Sequence, residues 1–267
     1  WSLRNTQNFR PNSSDTAMSG VDRAAVVFVA TTPDAFAVKA LSALGALPAR
    51  LPTWALVGGV SVAVNLNGFH RPTGDLDTVS IDADSALELL VEQGAQQSRN
   101  GVTIASGSTF VDVDIIDVSG GDPHSGAYLA HSFALETAVN RLLRVVSSSS
   151  RETLVEVTVP VATPTAIVAM KLHSVEGRRD SRPDKRSGDI YDVVRIVGAF
   201  GAASIAAELR RTAPRILVSS TATMCKRYFV DEVDRSFRWL RMDSRSAVSD
   251  VERSDLLAVG ELVVQLN

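Results

Sequence analysis

The sequence predicts an α/β (α+β) fold in which a mixed sheet with flanking helices is followed by a helical C-terminal domain. Three observations predict it. Short apolar runs stopped by glycine alternate with amphipathic stretches through the first half of the chain. Residues 109–118 alternate strongly enough to form a strand with one charged face. Beyond Pro164 the pattern becomes almost wholly helical, and strands mixed with helices followed by helices alone point to that architecture.

The elements follow in order. Residues 1–17 are polar, rich in Asn and Ser and without periodicity, which predicts a disordered leader or an expression remnant that carries no chemistry. Residues 35–47 read as an amphipathic helix through Phe36, Val38, Leu41, Leu44 and Leu47. The apolar run at 54–57 predicts a buried strand that ends in a tight turn at Gly58-Gly59, with a helix at 60–66. Leu76 and Val79 flank a second strand, 83–92 a helix, 102–105 a further strand, and 109–118 the charged-face strand. After the serines at 147–150 comes a strand at 153–159, and Pro160 and Pro164 then punctuate the chain. Helices are expected at 165–177, 188–200, 202–211, 230–242 and 248–266. The predicted division is a leader at 1–17, an α/β catalytic domain at 18–160 and a helical domain at 161–267.

Composition narrows the class. Apolar residues make up 45% and charged residues 21%, the balance of a soluble globular protein rather than a disordered or membrane-embedded one. No apolar run approaches the length of a bilayer span. The single cysteine, Cys225, excludes an internal disulfide framework and lacks a nearby His, and no charged-then-apolar signal opens the chain, so the cytoplasm is the expected compartment. Net charge is −3, yet residues 171–245 hold sixteen Lys and Arg against ten Asp and Glu. That distribution suits an acidic centre beside a surface able to hold a polyanion, or simply a solvated helical face.

The chemistry-bearing residues fall in separated segments. Paired glycines at a strand end, Gly58 and Gly59, let a backbone approach a ligand, and the helix start behind them favours an anion, to which Ser61 can add a hydroxyl donor. The same sequence also serves as an ordinary turn. Asp75 and Asp77 flank Leu76, so on an extended segment both carboxylates share one face; they suit Mg²⁺, or else a solvated turn after Gly74. A two-metal centre needs a third carboxylate. The strand from Val111 to Asp117 offers Asp114, with Asp112 on the same face as the alternative. Lys171 stands alone in an apolar helix and Asp189 near a helix start, positions that snorkelling and the helix dipole also explain. His70, His124, His131 and His173 share no ligand spacing and read as structural or surface residues.

Taken together, Gly58-Gly59, a helix, Arg71-x-Thr73-x-Asp75-x-Asp77 and a later strand carboxylate resemble the nucleotidyltransferase superfamily. The nearest resemblance is to the AbiEii-type toxins of abortive-infection systems and the related mycobacterial MenT toxins. Val159-Pro160, Pro164, Lys171 and Lys185-x-x-x-Asp189-x-x-Asp192 look like that branch's later motifs, so that roughly residues 50–200 are covered. The resemblance implies a nucleotidyltransferase-like fold and an enzyme that transfers nucleotides from an NTP. It implies that Gly58, Gly59 and Ser61 hold phosphates, that Asp75 and Asp77 bind Mg²⁺ with Asp114 completing the centre, and that Arg71 and Thr73 support that loop or the nucleotide. Lys171 and Asp189, contributed by the helical domain, would be essential groups beside the triphosphate. In the toxins it resembles, the acceptor is the 3′ end of tRNA, modification blocks translation, and a cognate antitoxin is the partner; no membrane is implied. Arg235, Arg238, Arg241 and Arg245 lie at spacings that would let one helical side follow phosphates. The alternatives are a small-molecule acceptor, as in aminoglycoside nucleotidyltransferases, a protein hydroxyl, or a non-catalytic nucleotide-binding module.

Overall fold

The computed structural model describes residues 25–32, 34–48, 50–106, 109–178, 182–242 and 250–266. The predicted leader at 1–17 lies outside them. The strands are β1 (Val26–Ala30), β2 (Trp54–Val57), β3 (Asp75–Ser80), β4 (Gln96–Gln97), β5 (Gly101–Ser106), β6 (Thr109–Asp117), β7 (Val139–Ser147) and β8 (Thr153–Val161). They form one mixed sheet in the order β1-β7-β8-β2-β3-β6-β5-β4. Its centre matters most here, because β2 runs antiparallel to β3 and β3 runs parallel to β6.

The helices are α1 (Phe36–Gly45), α2 (Gly58–Asn65), α3 (Ala83–Glu92), α4 (Gly126–Glu136), α5 (Pro164–Gly177), α6 (Pro183–Phe200), α7 (Ala202–Thr212), α8 (Arg215–Lys226), α9 (Val233–Met242) and α10 (Arg253–Leu266). A π-helical turn, Arg227–Asp231, joins α8 to α9. Local chemistry sets several starts. Asp82 caps α3 by accepting from the Ser85 N–H at 3.0 Å, and Thr163 caps α5 by accepting from the Ala166 N–H at 3.3 Å, one residue before Pro164.

Strand alternation splits the core in two. On β2, Ala55 and Val57 join the cluster shared with α4 to α10, whereas Leu56 joins the cluster shared with α1. On β3, Val79 faces the first cluster and Leu76 the second. Asp75 and Asp77 therefore stand on the face covered by α5 and α6. The first cluster draws residues from both predicted domains: Val57, Val79 and Phe133 pack with Ile167, Ile190 and Leu256.

Several expected elements shift. Gly58-Gly59 is not a separate turn, since α2 begins at Gly58 itself, whose φ of +67° makes the bend from β2. Helix α6 starts at Pro183 rather than 188, because proline suits the first helical position, and this brings Lys185 onto the helix. Strand β8 continues through Pro160 to Val161, and the expected helix at 230–242 is divided by the π-helical turn. Helix α10 begins at Arg253, and residues 248–249 of its expected start are not among those described. Among the described residues, no single helix is long and apolar enough to cross a membrane.

Candidate active site

The acidic centre is a product of sheet register. Parallel pairing sets Asp75 opposite Asp112 and Asp77 opposite Asp114 on neighbouring strands. Carboxylate oxygens of Asp75, Asp77 and Asp114 all lie within 4.8 Å of one another. Asp112 lines the same cleft, but its Oδ1 accepts from the Thr103 hydroxyl at 2.7 Å and it stands outside the trio. Crowded anions resist ionisation. Burial, followed by the charge of Asp75, pushes the Asp77 carboxyl above its ordinary value of 3.8 despite the pull of Lys171. Asp114 is raised for the same two reasons. Three converging oxygen donors whose ionisation a cation would relieve fit Mg²⁺.

The glycines let the chain close around this centre. A Cβ at Gly58 would run into the Asp77 carboxylate, and one at Gly59 would come within 2.8 Å of Thr73 Oγ1. Gly59 and Thr73 both line the cleft. Ser61 does not: it is fully buried, and its hydroxyl donates to the Gly58 carbonyl at 2.8 Å. The structure thus places that hydroxyl as a brace of the bend, because the phase of α2 turns position 61 into the core.

Across the cleft stands a cationic cluster organised by two buried aspartates of α6. Asp192 is fully buried and accepts from Arg71 Nε and Nη2 at 2.7 Å each, in the bidentate manner of a guanidinium–carboxylate pair. His70 Nε2 is 2.7 Å from the same carboxylate, and Lys171 Nζ is 2.8 Å away. Lys171 also donates to Asp189 at 2.8 Å, and Arg178 bonds the other oxygen of Asp189. Burial alone would raise the Asp192 carboxyl, but Lys171, Arg71 and His70 outweigh it and hold Asp192 well below 3.8. Burial alone would likewise lower the Lys171 ammonium, but Asp189 and Asp192 raise it above its ordinary value. Among the described residues its ionic partners are Asp189 and Asp192, and Lys171 also lines the cleft, where its ammonium can meet an anion.

Asp192 and Lys185, quoted from the sequence only as motif residues of the resemblance, and His70 and Arg178, read there as structural or solvated, join the residues of the cleft and its hub. The i,i+3 spacing of Asp189 and Asp192 on one helix was the signal available for Asp192. His70 is structural, as expected, but buried at the hub rather than on the surface. Arg178 and Lys185 belong to a basic segment that a solvated loop would also have explained; here both line the cleft, whose volume is about 530 Å³. The arginines of α9 are engaged locally: Arg235 lies 4.8 Å over the Trp239 ring and Arg241 5.1 Å over Phe237, while Arg238 Nε donates to the Asp234 carbonyl at 3.4 Å. Arg245 lies outside the described residues. Cys225 is buried, its thiol pushed up to about 12 by burial, which makes it inert at neutral pH.

The family described as "Nucleotidyl transferase AbiEii toxin, Type IV TA system" matches residues 39–220. No curated protein sequence matches. Among solved structures, an antigenic nucleotidyltransferase-like protein from Paracoccidioides brasiliensis is similar at 16% identity and a TM-score of 0.37, over 69% of this chain and 84% of that one.

Proposed function

The chain belongs to the AbiEii nucleotidyltransferase toxin family, and from that premise we propose that it transfers a nucleotide from an NTP to an RNA acceptor, the 3′ end of tRNA, in a Mg²⁺-dependent reaction that blocks translation. The observation that carries this reading is the pairing of three converging carboxylates with a cationic wall in one cleft.

Asp75, Asp77 and Asp114 would hold the metal, whose charge would assist loss of the hydroxyl proton and stabilise the departing pyrophosphate. Everything else falls to the chain's own groups. The acceptor hydroxyl oxygen bonds the α-phosphorus as the bond to the β-phosphate bridging oxygen breaks, the hydroxyl proton is released, and pyrophosphate leaves. Lys171, held between Asp189 and Asp192, would present its ammonium to the triphosphate, where negative charge accumulates on departure. Arg71, fixed by Asp192, and Thr73, against Gly59, would shape the loop around the nucleotide. Gly59 would admit a phosphate close to the start of α2.

The charge of the cleft favours RNA over a cationic drug. Outside the aspartate trio its walls carry Arg71, Lys171, Arg178 and Lys185 against Asp112 and Asp189, which complements a polyanion. A cognate antitoxin would restrain such an activity in the cell. The test is incubation of purified protein with Mg²⁺, each labelled NTP and total tRNA, with Asp77→Ala as control and aminoglycosides as parallel acceptors. Label in the tRNA fraction with the unaltered protein alone is expected. Label on an aminoglycoside instead, or equal labelling by the variant, would sink the reading.

A further inference from the structure

The two lysines of the cleft are held very differently. Lys171 is buried between two carboxylates at 2.8 Å each, with its side chain 11% exposed. Lys185, in the first turn of α6, reaches across to the acidic centre, where its Nζ lies 3.5 Å from Asp75 Oδ2. Both side chains of this pair are about one-third exposed, at 36% and 35%. A long flexible stem, one ionic partner among the described residues and open access to water describe a contact that can be exchanged.

The acidic centre needs such a partner. Three carboxylates within 4.8 Å repel one another, and Asp75 adds to the strain on both Asp77 and Asp114. Lys185 opposes that repulsion at Asp77 and at Asp114 as well as at Asp75. A divalent cation does the same with twice the charge at shorter range, and an ammonium beside it would then be repelled. The anions that enter this cleft with the metal are the phosphates of the nucleotide.

We propose that Lys185 is a built-in counter-charge of the acidic centre, seated beside Asp75 until a divalent cation displaces it, and that it then turns to the phosphates of the incoming nucleotide. This inference rests on the metal-dependent reading above and adds a regulation to it. Metal alone must evict Lys185 without giving it a new partner, whereas metal with nucleotide supplies one. Lys185 thereby makes the two ligands bind cooperatively, and each raises the affinity for the other by the same factor.

The experiment uses Mn²⁺ as a spectroscopic probe, with the free ion followed by electron paramagnetic resonance with and without a non-hydrolysable NTP analogue. The full chain is compared with Lys185→Met, Lys185→Arg, Arg178→Met and Asp77→Asn. Lys185→Met should bind Mn²⁺ alone about two- to fivefold more tightly, the size of a partly exposed ion pair. In the same variant the analogue should raise Mn²⁺ affinity less than in the unaltered protein, and Lys185→Arg should behave as the unaltered protein does. Unchanged or weaker Mn²⁺ binding by Lys185→Met, an undiminished effect of the analogue, or equal tightening by Arg178→Met overturns the role of Lys185. If Asp77→Asn abolishes Mn²⁺ binding while Lys185→Met leaves it unaltered, the metal centre stands and only the counter-charge falls. Absence of Mn²⁺ binding to the unaltered protein overturns both.

Discussion

Replacing Asp192 with asparagine keeps the shape of the side chain and removes one buried charge. The carboxylate, itself with no exposure to water, accepts from Arg71 at 2.7 Å through both oxygens, meets His70 at 2.7 Å and pairs with Lys171 at 2.8 Å. Asp192→Asn leaves two buried cations facing an amide whose NH₂ group must point at one of them. Removing one partner of a buried ion pair costs about 3–5 kcal/mol. At roughly 2–4 °C per kcal/mol for a chain of this size, the melting temperature should fall by about 6–20 °C at pH 7. Thermal melts followed by circular dichroism measure it. The pH dependence supplies an independent check: because the folded-state carboxyl lies well below 3.8, its contribution is present above that value and lost as pH falls through the folded pKa. Lys171 is displaced upward, so its contribution is lost only as pH rises beyond 10.5. The gap between Asp192→Asn and the unaltered protein should therefore close in strong acid, as pH falls through the folded pKa of Asp192. A fall of less than about 2 °C at pH 7, or a gap that persists undiminished in strong acid, would show that Asp192 is not the anchor of this cluster.

Two further outcomes follow from the acidic centre. Asp77 is displaced upward on folding, so stability is lost as pH rises from its ordinary value of 3.8 through its folded pKa; Asp77→Asn should raise the metal-free melting temperature at neutral pH, abolish the rise caused by Mg²⁺, and lower transfer by at least about 10²–10³-fold. Gly58→Ala forces a side chain into a backbone with φ of +67° and against the Asp77 carboxylate; a loss of about 1–2 kcal/mol is expected, together with a weaker Mg²⁺-induced shift in differential scanning fluorimetry, and an unchanged shift would separate the bend from the metal centre.

What the sequence made legible depended on contrast within a short window. Strand β2 at Trp54–Val57 and helix α3 at Ala83–Glu92 match their expected bounds because apolar runs end at glycine or begin at a capping aspartate. Strand β1 escaped because Val27 and Val29 are exposed yet apolar, so its alternation in burial leaves no alternation in polarity. Strand β7 escaped because its residues are mostly half-buried and its arginines interrupt any clean period. Helix α8 centres on Ser219, Ser220, Thr221 and Thr223, which are weak helix formers, and its packing against α5 and α10 decides its state. The acidic residues stood out because charges on an apolar alternating strand call for a cation. Asp192 was visible as a motif residue, but its part as a hub was not, since its contacts with His70 and Arg71 join positions 122 and 121 residues apart.

The placement of that hub itself argues for function. Asp189 and Asp192 are flanked by Ile190, Tyr191, Val193 and Val194, all buried, on a helix that also carries the core. Apolar residues in place of the whole set, both aspartates together with Lys171 and Arg71, would serve folding about as well, since a buried ion-pair cluster is roughly neutral or worse against a well-packed hydrophobic substitute. The acidic trio comes wholly from β3 and β6, and the cations come from α5, α6 and the loop before β3. Neither set completes a site alone. Packing of α5 and α6 on the sheet unites them, and the two buried aspartates determine where Lys171 and Arg71 stand relative to the carboxylates opposite. Two aspartates at core positions of α6 thus hold two cations at the cleft, the arrangement that the proposed binding of a triphosphate requires.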